Sequence, residues 1–410
     1  RVRALASSPA GAALTDAHRR HLENTVAEMR RHGAELPPEG KARLFEIDVE
    51  LSRVTTKFAQ NVLDSTNAFF VLVPDDADAP TRLAGLPEPA RAAARATAER
   101  KGQKGWRLGL DAPSVIAVLT HADDASLRET IWRAHNARAS TGAHDNRALV
   151  ADVLRLRAEK ARLLGKADFS DLVLEDRMAK EGARAAAFVE DLRARTVAGF
   201  ARDREDLMRF RRELEGEHAP ALEPWDLGYY AEKLRVARFD LDEEALRPYF
   251  EAGRVLDGLR AVARKLYGLE IVPRPGTSTW HPDVVPFSVR RAGETHERGI
   301  FHVDLFPRED KRGNAWMSGL RVSTVRPDGT REPHVVVFAA NVSFHGGFGG
   351  NDGPTFSPPE PVAGGDGGDA IVLGGASLAR LLECAATGGG AGNWLMGPPE
   401  SGTPGAASIV

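Results

Sequence analysis

Apolar residues recur every three or four positions through most of the first 270 residues, and this spacing predicts helices. Leu44, Ile47, Leu51, Val54, Phe58 and Val62 form the strongest stripe, expected to end near residues 64–67. Further helices are expected at 16–36, 88–100, 126–139, 146–164, 180–214 and 255–267, with another opening near Pro224-Trp225-Asp226. An acidic first turn is expected at 240–244. Residues 68–73 and 106–110 read instead as two short strands that pair as a hairpin-like insert. After Gly268 the period changes. Residues 287–289, 299–306, 317–325 and 334–342 run apolar or alternate between turn residues such as Pro327-Asp328-Gly329, so a small sheet interrupts the helical body.

Composition adds limits rather than a class. The 410 residues are 42% hydrophobic and 28% charged, with a formal net charge of −3, so no basic field points to nucleic acid. No apolar run reaches the roughly 20 residues of a membrane helix, and the first residues lack a signal-peptide core. The single cysteine, Cys384, excludes an internal disulfide framework and suits a reducing, cytoplasmic setting. The chain does not begin with Met, which leaves room for an upstream piece. From His345 onward, 66 residues hold 18 Gly and 7 Pro and a single basic residue, Arg380. Such a stretch is expected to be a disordered tail, with helix only at 376–384. Within it, residues 364–372 match one copy of a calcium-type nonapeptide. A stable β-roll needs about three or more stacked repeats, so this is a weak signal.

The densest chemistry lies between Trp280 and Met317. If 300–306 is extended, His302 and Asp304 share a face, since strands alternate with period two. The candidate cleft residues are His281, His302, Asp304, Arg308 and Lys311. His281 could bond a substrate backbone or close the loop before Pro282. His302 and Asp304 could line a cleft or fix the sheet. Arg308 and Lys311 are the candidates for a peptide carboxylate, Arg308 especially because its fork is bidentate.

Several ordered segments together resemble the thimet oligopeptidase and oligopeptidase A family of zinc metallopeptidases. They include Leu83-Ala84-Gly85-Leu86-Pro87, Trp225-Asp226 with Tyr229-Tyr230, Phe239-Asp240-Leu241-Asp242, Trp280-His281-Pro282-Asp283-Val284, Asp304-Leu305-Phe306-Pro307-Arg308 and Lys311-Arg312-Gly313. Asn314 stands where a second Gly is expected. The resemblance implies a mainly α, two-lobed, zincin-like oligopeptidase body with a small β-sheet and an irregular Gly/Pro-rich C-terminal tail. It divides as a helical body at 1–270 with a β insert at 68–110, a β-containing segment at 271–342 and the tail at 343–410.

It also implies short peptides as substrates, a monomer, and zinc held by an H-E-x-x-H helix. That pattern does not occur in these 410 residues, and past His345 there is no further His, so no catalytic or metal residue is carried over. The chain as given is therefore expected to be inactive, its compositional break marking a frame slip or truncation after about Asn341. The alternative is a genuine non-catalytic relative that keeps a peptide-binding or structural scaffold.

Overall fold

The computed structural model describes residues 1–240, 249–250, 252–313 and 315–341. The remainder of the acidic turn at 241–244, Asn314, the 343–410 tail, its nonapeptide and its expected helix lie outside these residues. Among the described residues the chain is mainly α with a small sheet. Nine helices have ten residues or more: α1 (Asp16–Arg31), α2 (Pro38–Ala68), α3 (Glu88–Arg100), α4 (Ala112–His121), α5 (Ala125–Asn136), α6 (Arg147–Leu163), α7 (Gly182–Glu215), α8 (Leu227–Phe239) and α9 (Ala252–Tyr267). The strands are β1 (Val71–Val73), β2 (Trp106–Leu108), β3 (Leu269–Pro273), β4 (Val285–Arg291), β5 (Glu297–Asp304), β6 (Trp316–Arg321) and β7 (His334–Ala339). No helix among the described residues is long and apolar enough to cross a membrane.

Local chemistry sets the element ends. Asp111 and Asp124 accept hydrogen bonds from the backbone N–H of Ser114 and of Ser126 and Leu127, capping α4 and α5. Asp240, expected to open the acidic turn, instead closes α8 in the left-handed region at φ 47°. Gly105, at φ 112°, carries the chain into β2 so close to β1 that an added Cβ would lie 2.1 Å from the Val73 carbonyl oxygen.

The chain divides into two units, 1–64 with 139–206 and 65–138 with 207 onward. In the first, Ile47, Val54, Leu156 and Ala161 are buried. Polar pairs join α2 to α6: Asp48 to Lys160 at 2.7 Å, Arg43 to Glu159 at 2.7 Å, and the Asn61 amide donating to Asn146 Oδ1 at 2.8 Å. In the second unit, β1 and β2 pair antiparallel as expected. Their buried residues Val73 and Leu108 join Leu83, Leu86, Ala94, Val118 and Ile131 in one apolar cluster. A five-stranded sheet in the order β3-β4-β5-β7-β6 carries a second cluster of Phe287, Val303, Leu305, Phe306 and Ala340, against which Leu256 of α9 packs. β7 lies parallel to β5 and antiparallel to β6, leaving β6 at an edge.

Candidate functional site

His302 and Asp304 lie on β5, Arg308 and Lys311 in the loop that follows it, and His281 in the loop between β3 and β4. Parallel pairing sets Asp304 opposite Ala339, so the last residue of β5 meets the end of β7. His302 and Asp304 do share a face, and both meet Trp280. The indole N–H donates to Asp304 Oδ2 at 3.0 Å, and its ring centroid lies 5.3 Å from that of His302. Trp280 is half exposed, and this bond turns its polar edge toward the buried carboxylate.

After Asp304 the chain folds back, closed by the Lys311 N–H donating to the Arg308 carbonyl at 3.1 Å. This return brings both cations onto the same carboxylate. Arg308 forks across Asp304 at 2.7 and 2.8 Å. The Lys311 ammonium donates to Asp304 Oδ1 at 2.8 Å and to the carbonyls of Asp304, Phe306 and Ala340 at 2.8, 2.9 and 2.5 Å. The Ala340 N–H donates to the Asp304 carbonyl at 2.8 Å, continuing the ladder. The loop is tied on its other side as well: the Asn67 amide donates to the Glu309 carbonyl at 2.8 Å, and Lys101 pairs with the Glu309 carboxylate at 2.5 Å.

Burial opposes ionisation of Asp304, but hydrogen bonds from Arg308, Lys311 and Trp280 outweigh it and hold the carboxyl well below its usual range. Asp304 is thus a permanent anion near neutrality and supplies no proton. The bond to Asp304 raises the pKa of Arg308. Burial lowers that of Lys311, with Asp304 acting against it. Arg308 and Lys311, the candidates for a peptide carboxylate, therefore direct their charge at Asp304. His281 closes its own loop. Its Nδ1 accepts from the Asp283 N–H at 3.2 Å and lies 3.5 Å from the Asp283 carboxylate.

His302 is buried, and its Nδ1 has no hydrogen-bond partner among the described residues. Burial, reinforced by nearby Arg274, lowers its pKa below the ordinary 6.5. Its contribution to stability is consequently complete above pH 6.5. It is lost as pH falls toward the folded-state value, because the unfolded state binds the proton first. The urea midpoint of the protein is expected to fall between pH 7 and pH 5, and His302→Phe should flatten that fall. Equal slopes for both proteins would remove His302 from the account.

A second polar cluster, unflagged as a site by sequence, joins α5, α7 and α8. Asp226 accepts from Arg128 at 2.8 Å and from Arg211 at 3.1 Å, all three being buried. Arg128 also donates to the Ala122 carbonyl at 2.7 Å and lies 4.1 Å over the Tyr229 ring. The Tyr230 hydroxyl bonds Glu215, and that of Tyr229 bonds Asp123 at 2.6 Å. Burial first, then these carboxylates, push both tyrosine hydroxyls up from their ordinary value, so they stay neutral.

Among the described residues, no three His, Cys, Asp or Glu side chains are grouped to hold a metal ion. The zinc implied by resemblance therefore has no fitting ligand set in this part of the chain. Residues 118–347, more than half of the chain, match peptidase family M3. The chain belongs to peptidase family M3. This M3 chain is 35% identical over 336 residues to oligopeptidase A of Escherichia coli strain K12, covering 80% of itself and 48% of that protein. It is 34% identical over 324 residues to the organellar oligopeptidase A of Arabidopsis thaliana, covering 77% and 40%. Against the Escherichia coli dipeptidyl carboxypeptidase it is 31% identical over 294 residues, covering 70% and 41%. The chain spans about half the length, or less, of the curated relatives it matches.

Proposed function

We propose that this M3 chain supplies the peptide-holding part of an oligopeptidase that hydrolyses short peptides, with β6 as the contact strand. The observation that carries the reading is the position of β6. It terminates the sheet, pairs only with β7 among the described strands, and has five of its six residues exposed. An exposed strand edge offers backbone N–H and C=O groups in a row, and an extended peptide can add to it as a further strand. The Asp304–Arg308–Lys311 network is then the frame that holds β5 and β7 in place behind that edge. The relatives named oligopeptidase A support the substrate class.

The assay is fluorescence anisotropy of a labelled short peptide with the full chain. Methylating alternate backbone amides in one phase should weaken binding roughly tenfold, corresponding to about 1.4 kcal/mol of lost hydrogen bonding, and in the other phase should not. Indifference to both methylation patterns would sink the reading.

In the M3 family, zinc when bound polarises the scissile carbonyl and activates water. The sequence lacks H-E-x-x-H and the described residues offer no ligand cluster, so the chain is expected to hold peptides without cleaving them. A reducing, cytoplasmic compartment and a monomeric state fit the single cysteine and the balanced charge. Turnover of a quenched peptide with added zinc, abolished by a chelator, would overturn the non-cleaving part alone.

A further inference from the structure

The apolar stripe of α9 is only partly covered by the described residues. Val255, Leu256, Leu259, Val262, Ala263 and Leu266 recur at helical spacing on one face. Leu256 and Leu259 border a shallow apolar recess shared with Ile271, Phe287, Phe301 and Val303 of the sheet. Beyond the recess the stripe runs on uncovered: Leu259 and Val262 are about half exposed, and Leu266 is 65% exposed. A recess that continues into an open apolar helix face has the form of a groove for a second amphipathic helix.

The same chain supplies a candidate for it. Ala340 belongs to the cluster that holds Phe287 and Val303, with Leu256 and Ile271 packed against it, so the chain leaves β7 beside the recess. Farther on, residues 376–384 read as a helix with Leu378, Leu381 and Leu382 on one face and Arg380 and Glu383 on the other. The 34 residues from 342 to 375 separate the two points. A Gly-rich linker of that length spans about 30 Å on average, and a helix the length of α9 is about 24 Å long. Charge agrees as well. α9 carries Arg254, Arg260, Arg264 and Lys265 against Asp257, whereas the stretch after His345 has Asp352, Glu360, Asp366, Asp369, Glu383 and Glu400 against Arg380.

We propose that the apolar stripe of α9 is a docking surface for the chain's own residues 376–384, which lay Leu378, Leu381 and Leu382 against Leu259, Val262 and Leu266. The segment lies beyond the residues that match the family, so this contact belongs to this chain and not to the M3 fold. Being tethered near the recess, it meets the groove at a high effective concentration and needs only modest intrinsic affinity. The proposal involves neither β6 nor a bound peptide, so it and the proposed function can fail separately.

The segment contains the single cysteine, Cys384, which makes the test direct in the full chain. Val262→Cys or Leu266→Cys adds one thiol on the stripe, and Ala261→Cys adds one on the opposite side of α9. Under mild oxidation at least one stripe variant should close an intramolecular disulfide with Cys384 roughly tenfold faster than the Ala261→Cys control, since the bond demands close approach. Adding Leu378→Glu with Leu382→Glu, which leaves α9 untouched, should remove that advantage. Arg380 gives a second readout, being the sole tryptic site after His345. Leu259→Glu with Leu266→Glu should speed cleavage there by roughly tenfold, as the undocked population rises. Disulfide rates equal to the control, or a cleavage rate unchanged by the α9 substitutions, overturn the proposal. A disulfide that joins two chains instead of closing within one also overturns it, and assigns the stripe to a second copy.

Discussion

Asp304→Ala is expected to lower the unfolding free energy by about 3–5 kcal/mol, because it strands a buried ammonium and a largely buried guanidinium at once. Lys311 and Asp304 are both nearly inaccessible, at 2% and 3% side-chain exposure, so water cannot replace the lost carboxylate without opening the sheet. Lys311→Met should also destabilise, since it leaves the carbonyls of Asp304, Phe306 and Ala340 without their shared donor. The two changes act on one network and will not add. The double variant should be more stable than the sum of the single effects predicts, by about 0.5–3 kcal/mol. Urea unfolding of the four proteins measures this. A cost below about 1 kcal/mol for Asp304→Ala would mean that the carboxylate is not the keystone of this corner, given the usual cost of breaking a buried pair.

Asp226→Ala is expected to cost a similar amount, about 3–5 kcal/mol, for a related reason in a helical setting. Its two oxygens receive two buried arginines that arrive from α5 and from the end of α7, at the start of α8. The order of effects among partners discriminates the mechanism. Arg128 is 1% exposed and has Asp226 as its carboxylate, whereas Arg211 also bonds Glu215 at 3.0 Å. Asp226→Ala should therefore exceed Arg211→Ala, whose removal leaves Asp226 still paired with Arg128. Thermal unfolding followed by circular dichroism reads the order. A larger effect for Arg211→Ala would contradict it.

Much of the fold follows from short-range pattern. The long stripe from Leu44 to Val62 sits within α2, and the short apolar run at 68–73, with the segment 106–110 as its expected partner, anticipates the paired β1 and β2. β3 escaped because Leu269–Pro273 is five residues long, starts immediately after the helix-ending Gly268 and finishes on Pro, so neither period has room to appear. α4 contains the apolar run Val115-Ile116-Ala117-Val118-Leu119, with β-branched neighbours at Val115 and Ile116, and this short continuous apolarity hides its period. At the candidate site the shared face of His302 and Asp304 was legible from the two-residue repeat. The destination of the cations was not. Lys311 reaches a carbonyl 29 positions later and Asp304 a tryptophan 24 positions earlier, and no local rule pairs residues at such separations. The same holds for Arg128 and Asp226, 98 positions apart.

The position of β7 has a consequence for assembly during synthesis. β6 leaves the ribosome before β7 but ends up outside it, so residues 334–339 must enter between β5 and a strand already made. The Lys311 ammonium lacks its Ala340 acceptor until that entry is complete. Pairing of strands distant along the chain is slow because loop closure precedes any reward. β5 thus gains its parallel partner, and Lys311 its Ala340 acceptor, only after residue 340 has emerged.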